Sequence, residues 1–173
     1  MSDDPRTGLT VTHRRYVTHG EAHYGGGLVD GAYVLGLFGD VATEACVRMD
    51  GDEGLFASYS DVQFRAPVMA GDMIEISCVV TSVGRRSRRL SFEARVTCRA
   101  DPSRGPSAAR VLDPPLVAVT ATGTVVVPAP AELTRHSWRM MIAVADYGGR
   151  RYSCPVHVVP ATHTRHSRTS LSA

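Results

Sequence analysis

The stretch that decides the fold runs from His23 to Glu44 and reads HYGGGLVDGAYVLGLFGDVATE. A polar, glycine-rich turn leads directly into an apolar segment with helical spacing, which carries the carboxylates Asp40 and Glu44. Residues four apart share a helix face, so both acids are expected to point the same way. Because an acid on a helix suited to burial is costly unless it is paired or used, this stretch is the first candidate for a functional site.

The apolar spacing around this stretch predicts one long helix and an antiparallel sheet. Recurrence every three or four residues predicts a helix from about residue 29 to 48, with Asp30 as its N-terminal cap. Apolar residues elsewhere alternate with period two, which predicts strands at 9–18, 55–64, 72–83, 88–99 and 116–127. The Pro- and Ser-rich segment 101–115 is expected to be an exposed excursion. A long helix on one face of such a sheet buries both apolar surfaces, so the predicted fold class is α+β.

The chain has 173 residues, enough for one domain with a proper core. We predict that this domain covers residues 1–130. Residues 131–173 form an Arg/His/Ser-rich C-terminal extension whose last dozen residues have no apolar period and are expected to be disordered.

Composition excludes several function classes. All 19 basic residues are arginines, which rules out a lysine Schiff base or lysine general base. The net charge is only +2, and its basic bias is confined to the tail, so no nucleic-acid partner is expected. No apolar run reaches the roughly 18–20 residues that span a bilayer, so no membrane partner is expected either.

The cysteines and motifs bear on compartment and cofactors. The four cysteines are scattered without metal-type spacing, and the N-terminus lacks the basic-then-apolar order of a secretory signal. We infer that the cysteines are buried free thiols in a reducing compartment, and we therefore predict a cytoplasmic protein. The sequence contains no metal-ligand cluster and no nicotinamide or flavin signature, and the expectation is that neither a metal nor a cofactor is used.

Three motifs in order resemble the hotdog fold of acyl-CoA thioesterases and dehydratases. The first is the glycine-rich turn that opens the central helix. The second is the run VQFRAPV at 62–68, followed by AGD at 70–72. The third is VGRRS at 83–87, at the predicted hairpin between two strands. The resemblance implies a long central helix wrapped by an antiparallel β-sheet.

Within that superfamily the chain resembles the β-aminoacyl-CoA ammonia-lyase group, which acts on β-alanyl-CoA or 3-aminobutyryl-CoA. The resembling stretches lie in consistent order between residues 18 and 128: HYGGGLVDG, LFGDVATE, DGDEGLF, APVMAGD, FEAR and ATGTVVV. The resemblance implies a carbon–nitrogen lyase that reversibly eliminates ammonia to give the enoyl-CoA. It implies no cofactor beyond the coenzyme A of the substrate.

This chemistry suggests roles for the helix and the turn that precedes it. One of Asp40 and Glu44 is expected to be the general base and the other the ammonium anchor, and spacing does not say which. Two close carboxylates in a partly dry site are expected to raise one pKa above the free values of about 3.9 and 4.3. His23 is a further catalytic candidate, as a donor to the enolate or a proton shuttle.

Substrate binding is expected from the turn and from the basic hairpin. The amides of Gly25, Gly26 and Gly27 are expected to approach the thioester oxygen, with Tyr24 as a further donor. Arg85 and Arg86 are expected to contact the phosphates of coenzyme A, because guanidinium groups match phosphate oxygens.

The expected ligands are ammonia and an acyl-CoA or carrier-protein thioester. The protein is expected to form at least a homodimer, with sites shared between subunits. Three alternatives remain open from the sequence. An acyl-CoA thioesterase or an enoyl-CoA hydratase would use the same fold with water as the attacking group. A non-catalytic acyl-thioester-binding domain would hold the ligand without turnover.

Overall fold

A computed structural model describes residues 4–128 of the chain. The C-terminal extension predicted for residues 131–173 lies outside the described residues, and the domain boundary near residue 130 stays a prediction. Within residues 4–128, no helix is long and apolar enough to cross a membrane.

The long helix, α1, spans Gly31–Asp50. Asp30 caps its N-terminus as predicted, and the carboxylate accepts a hydrogen bond of 3.0 Å from the Ala32 amide. Gly51 ends the helix in the left-handed region with φ of 67°, as a C-terminal glycine commonly does. The helix buries one stripe of its surface, formed by Val34, Leu37, Phe38, Val41, Ala42, Ala45 and Cys46.

The sheet has five antiparallel strands in the order β1-β3-β4-β5-β2. Their bounds are Thr10–Tyr16 for β1, Leu55–Phe64 for β2, Met73–Val83 for β3, Ser87–Ala100 for β4 and Ala109–Val126 for β5. α1 packs against this sheet, which confirms the predicted α+β hotdog architecture. β1 and β2 are the two edge strands, so each end of the sheet has one strand partnered on a single side.

The prediction was wrong about the segment before the last strand. β5 begins at Ala109, because Val111 pairs with Cys98 and Ala109 pairs with Ala100. The ladder skips from Leu116 to Val111, so the two prolines at 114 and 115 fall in the interruption. Proline cannot donate to a ladder, and a bulge is where a strand tolerates it. The excursion is therefore shorter than predicted and does not include residues 109–111.

The core between helix and sheet is closed by a group of aromatic rings. The rings of Phe38 and Phe92 stack with centroids 5.1 Å apart. Phe56 and Tyr59 on β2 pack on each other at 4.2 Å and extend the group toward that edge of the sheet. A Cβ at Gly123 would lie 2.6 Å from the Phe56 ring, so only glycine fits beneath these rings.

Candidate active site

The glycine-rich turn is joined by backbone hydrogen bonds to the segment between β2 and β3. The Val29 amide donates to the Val68 carbonyl at 3.0 Å, and the Ala70 amide donates to the Gly27 carbonyl at 2.8 Å. Gly26 and Gly27 have φ of 74° and 81°, a backbone conformation that favours glycine. The two segments therefore form one unit at the N-terminal end of α1.

A cleft of about 540 Å³ lies against this unit. It is lined by Tyr24, Leu28, Val29, Asp30, Gly31, Ala32, Val34, Phe64, Arg65, Ala66, Pro67, Val68 and Val119. Most of these side chains are apolar, and Asp30 and Arg65 are the only charged residues in the lining. The Phe64 ring covers Gly31 so closely that a Cβ there would lie 2.6 Å from it. The cleft thus joins the first turn of the helix to the end of β2.

A buried ion pair supports the far wall of the cleft. Asp72 is fully buried and accepts from Arg99 Nε at 2.9 Å and from Arg99 Nη2 at 2.7 Å. The same carboxylate accepts from the Met69 amide at 2.8 Å, and Arg99 donates to the Pro67 carbonyl at 2.8 Å. These contacts fix segment 67–72, which carries two of the cleft-lining residues.

The first amides of a helix have no acceptor within the helix and are available to ligands. At α1 the Ala32 amide is taken by the Asp30 side chain, and the Tyr33 amide donates to the Asp30 carbonyl at 3.1 Å. The Gly31 amide meets no acceptor among residues 4–128. Gly31 lines the cleft, and its N–H is at the positive end of the helix dipole, which favours an oxygen that gains negative charge.

The structure places the predicted residues of the turn at different distances from the cleft. Tyr24 lines the cleft and is half-exposed. His23 is exposed and packs edge-on against the Tyr24 ring with centroids 4.5 Å apart. Gly25 lies outside the lining with the other two glycines of the turn, although the turn that they form builds one wall.

Glu44 is held by two basic side chains. His13 Nε2 on β1 contacts Glu44 Oε2, and Arg48, one turn further along α1, contacts the other oxygen. The hydrogen bond from His13, followed by the charge of Arg48, lowers the pKa of Glu44 below its usual 4.5. Glu44 is therefore not the carboxylate whose pKa is raised by a neighbouring acid, because its nearest partners are the basic side chains of His13 and Arg48.

Asp40 lies in a different environment. It is exposed on α1, and its charge acts on Tyr59 of β2. Burial, and secondarily this charge, raises the pKa of Tyr59 to about 12. Glu44 contacts His13 of β1, whereas the charge of Asp40 acts on Tyr59 of β2, so the two carboxylates of one helix face have different neighbours.

Asp40 is also far from the cleft of its own chain. It follows the capping residue Asp30 by ten positions, which is about 15 Å along a helix. Neither Asp40 nor Glu44 belongs to the cleft lining.

The basic hairpin lies at the opposite end of α1 from the cleft. Arg88 is buried, and its guanidinium forms two hydrogen bonds with Asp50, the last residue of the helix, at 2.8 Å and 2.7 Å. Arg6 also donates to Asp50 at 2.8 Å. Arg85 is exposed at the tip, and Arg86 Nε reaches the Val127 carbonyl at 3.4 Å. Within one chain, the length of α1 therefore separates Arg85 and Arg86 from the cleft.

The part of the chain that the structure describes shows no second site built from metal ligands or thiols. Residues 4–128 contain no group of three or more His, Cys, Asp or Glu side chains that could hold a metal ion. Cys46 and Cys78 are buried free thiols, as predicted, and burial raises the pKa of each to about 11. Cys98 is half-buried.

Sequence reasoning missed the part of the cleft that comes from the end of β2, and it missed the ion pair from β4 that supports the cleft wall. The sequence places Phe64 and Arg65 only within a motif, and it places Arg99 only within a predicted strand. The motif did contain one usable signal, because a buried aspartate after a glycine at a strand start requires a cation from elsewhere in the fold. Nothing in the sequence identified Arg99 as that cation.

Comparisons with known proteins agree with this architecture. Residues 26–102 match the family model described as Thioesterase superfamily. A 3-aminobutyryl-CoA ammonia lyase from Acetoanaerobium sticklandii is 54% identical over 108 residues, which cover 62% of this chain and 86% of that protein.

Two solved structures extend the comparison. The β-alanyl-CoA:ammonia lyase from Clostridium propionicum is 36% identical with a TM-score of 0.66, and the match covers 70% of this chain and 86% of that one. A hexameric hotdog-fold thioesterase of Campylobacter jejuni is 20% identical with a TM-score of 0.55, covering 68% of this chain and 81% of that one. The second likeness shows the fold alone.

Proposed function

Since the chain belongs to the β-aminoacyl-CoA ammonia-lyase family of hotdog proteins, we propose that it eliminates ammonia reversibly from a β-aminoacyl-CoA to give the enoyl-CoA. The substrate is 3-aminobutyryl-CoA or β-alanyl-CoA. The observation that carries this proposal is the 54% identity to a 3-aminobutyryl-CoA ammonia lyase over 86% of its length. The cleft at the start of α1 is where the reaction would take place.

The elimination has two requirements. A base removes a proton from the carbon alpha to the thioester, and the electron pair passes to the carbonyl oxygen as an enolate. When the enolate collapses, the Cα=Cβ double bond forms, the C–N bond breaks and neutral ammonia leaves with the bonding pair. We assign the Gly31 amide as the donor to the enolate oxygen, since Gly31 lines the cleft and an apolar lining strengthens such a hydrogen bond.

The base has to come from outside the cleft of a single chain, because no carboxylate but Asp30 lines it. Strand β2 offers a way to bring one in. It is an edge strand with unpaired backbone groups, and such edges readily pair with a second copy. Homo-oligomers are mostly built on twofold axes, which would pair β2 of one copy antiparallel with β2 of the other.

Alignment of β2 with α1 shows what such a pairing would do. The strand runs opposite to the helix: Gly54 lies beside Cys46, the Tyr59 hydroxyl donates to the Leu35 carbonyl at 2.6 Å, and Phe64 covers Gly31. A twofold axis near the middle of β2 reverses the partner's helix. The partner's Asp40 would then lie level with the N-terminal half of this α1, where the cleft is.

The same arrangement favours Asp40 over Glu44 as the base. Asp40 is exposed and its charge acts on Tyr59 of β2, whereas Glu44 is paired with His13 of β1 and with Arg48. The partner's hairpin would also move from the far end of its helix toward this cleft. Arg85 and Arg86 would thus bind the phosphates of coenzyme A across the subunit interface.

The proposal includes at least a homodimer, and it assigns no cofactor beyond the coenzyme A of the substrate. The thioester itself acidifies the alpha proton, and ammonia needs little acid assistance to leave, so the residues named above suffice for the chemistry. We favour a coenzyme A thioester over a carrier-protein thioester as the substrate. The buried free thiols Cys46 and Cys78 favour a location in the reducing cytoplasm.

The decisive experiment incubates purified protein with crotonyl-CoA and ammonium at mildly alkaline pH and follows the CoA species by mass spectrometry. Enzyme-dependent 3-aminobutyryl-CoA supports the lyase. A boiled-enzyme control is required because amines add to enoyl thioesters unaided. Free coenzyme A as the sole product would identify a thioesterase, and 3-hydroxybutyryl-CoA would identify a hydratase. Acryloyl-CoA in the same assay tests the β-alanyl substrate.

A further inference from the structure

We propose that Asp30 binds the β-ammonium group of the substrate, in addition to capping α1. This inference rests on the proposed function and assigns one end of its substrate. It replaces the expectation that one of Asp40 and Glu44 holds that cation.

The cleft lining limits which side chain can bind a cation. Asp30 is the only carboxylate among the residues that line the cleft. Its Oδ1 accepts from the Ala32 amide at 3.0 Å, and its Oδ2 meets no donor among residues 4–128. One oxygen therefore fixes the orientation of the side chain while the other is available to a ligand.

A cation in this cleft needs a counter-charge for two reasons. The surrounding side chains of Leu28, Val68 and Val119 are apolar, and an unpaired ammonium group is costly in such a place. The cleft also faces the positive end of the α1 dipole, and its other charged residue is the cation Arg65. Without Asp30 the lining that a single chain supplies would favour a neutral or anionic acyl group.

The shape of the substrate agrees with this placement. The amine is on Cβ, the proton to be removed is on Cα and the enolate oxygen is on the next carbon, so these groups lie on three consecutive carbons. A site for this unit needs its ammonium anchor and its oxyanion donor side by side. Asp30 and Gly31 are consecutive residues, and both line the cleft.

The test compares two unreactive ligands that differ only in the amine. S-(3-aminobutyl)-CoA and S-butyl-CoA are thioethers, so they have no acidic alpha proton and cannot be turned over. Calorimetry gives the Kd of each ligand for the wild type and for Asp30→Asn. Asparagine caps a helix as well as aspartate does, so this variant removes the charge and keeps the fold.

We expect Asp30→Asn to weaken binding of the aminobutyl ligand by about 10- to 100-fold, the usual range for a hydrogen bond to a charged group. The Kd of S-butyl-CoA should stay unchanged. The matched control is Asp52→Asn, because Asp52 accepts from the Gly54 amide at 2.7 Å in the same kind of turn but outside the cleft lining. This control should bind both ligands as the wild type does.

Equal affinities of Asp30→Asn and wild type for the aminobutyl ligand would overturn the inference, and so would an equal loss for both ligands. Neither result touches the proposed function, which is judged by whether wild-type protein forms 3-aminobutyryl-CoA. If the wild type fails that assay but Asp30→Asn loses affinity for the aminobutyl ligand alone, the ammonium site stands and the lyase does not.

Discussion

Arg99 and Asp72 form a doubly hydrogen-bonded ion pair in which the carboxylate is completely buried and the guanidinium side chain is 22% exposed. The pair joins β4 to the loop that carries Pro67 and Val68, so it links the sheet to the wall of the cleft. The hydrogen bond to Asp72 raises the pKa of Arg99 above its usual value, so the pairing favours the charged guanidinium.

Arg99→Ala is expected to destabilise the protein by about 3–5 kcal/mol, because it leaves the Asp72 carboxylate buried without a cation. Urea unfolding measures this change. Arg95→Ala is the matched control, since Arg95 pairs with Glu93 at the surface and such pairs contribute about 0–1 kcal/mol. Equal losses for the two variants would show that the buried pair has no special role.

The pairing of Glu44 predicts how stability depends on pH. The folded pKa of Glu44 is lowered by His13 and then by Arg48, so the ionised form is favoured in the folded state. Its contribution is fully present above the ordinary pKa of 4.5 and is lost as the pH falls through the lowered folded value. The melting temperatures of wild type and Glu44→Gln should therefore differ near neutral pH and converge in acid. A difference that grows toward acid pH would contradict the pairing.

The fold could be predicted because its main signals are local and periodic. The helix bounds differ by two residues at each end, and β2 was predicted to the residue. The start of β5 was missed because prolines in a bulge resemble a loop, and only the partner residues on β4 show that the strand resumes at Ala109. The start of β5 is determined by long-range pairing with β4, which no local sequence pattern indicates.

The site could be predicted only in part, for a related reason. Helical spacing indicates which residues share a face, but it does not show what packs opposite them. His13 is 31 positions from Glu44 in sequence, and its contact with Glu44 is what removes that acid from the candidate bases. Asp30 was correctly predicted as a cap, yet its position in the cleft depends on Phe64 and on the loop at 66–68, which only the folded chain brings together.

Replacing each helix acid separately tests the choice of base. Asp40→Asn should lower kcat by about 10²–10⁴-fold, the range for loss of a general acid–base group, while substrate binding persists. Glu44→Gln should keep most of the activity at neutral pH, because its carboxylate is engaged by His13 and Arg48. Steady-state kinetics of ammonia elimination from 3-aminobutyryl-CoA measures both. A Glu44→Gln variant with the larger loss would assign the base to Glu44 instead.

Mixing two impaired variants tests whether the partner supplies Asp40. In a mixed dimer of Asp30→Asn and Asp40→Asn, the cleft of the Asp40→Asn chain keeps its own Asp30 and receives an intact Asp40 from the other chain. Random reassociation makes half of the dimers mixed, and each has one intact site of two, so about a quarter of wild-type activity should return at low substrate concentration. If Asp40 acted within its own chain, no mixed dimer would contain an intact site. Activity no greater than the average of the two separate variants would therefore place the base and the ammonium anchor on the same subunit, against the 15 Å or so of helix that separates them.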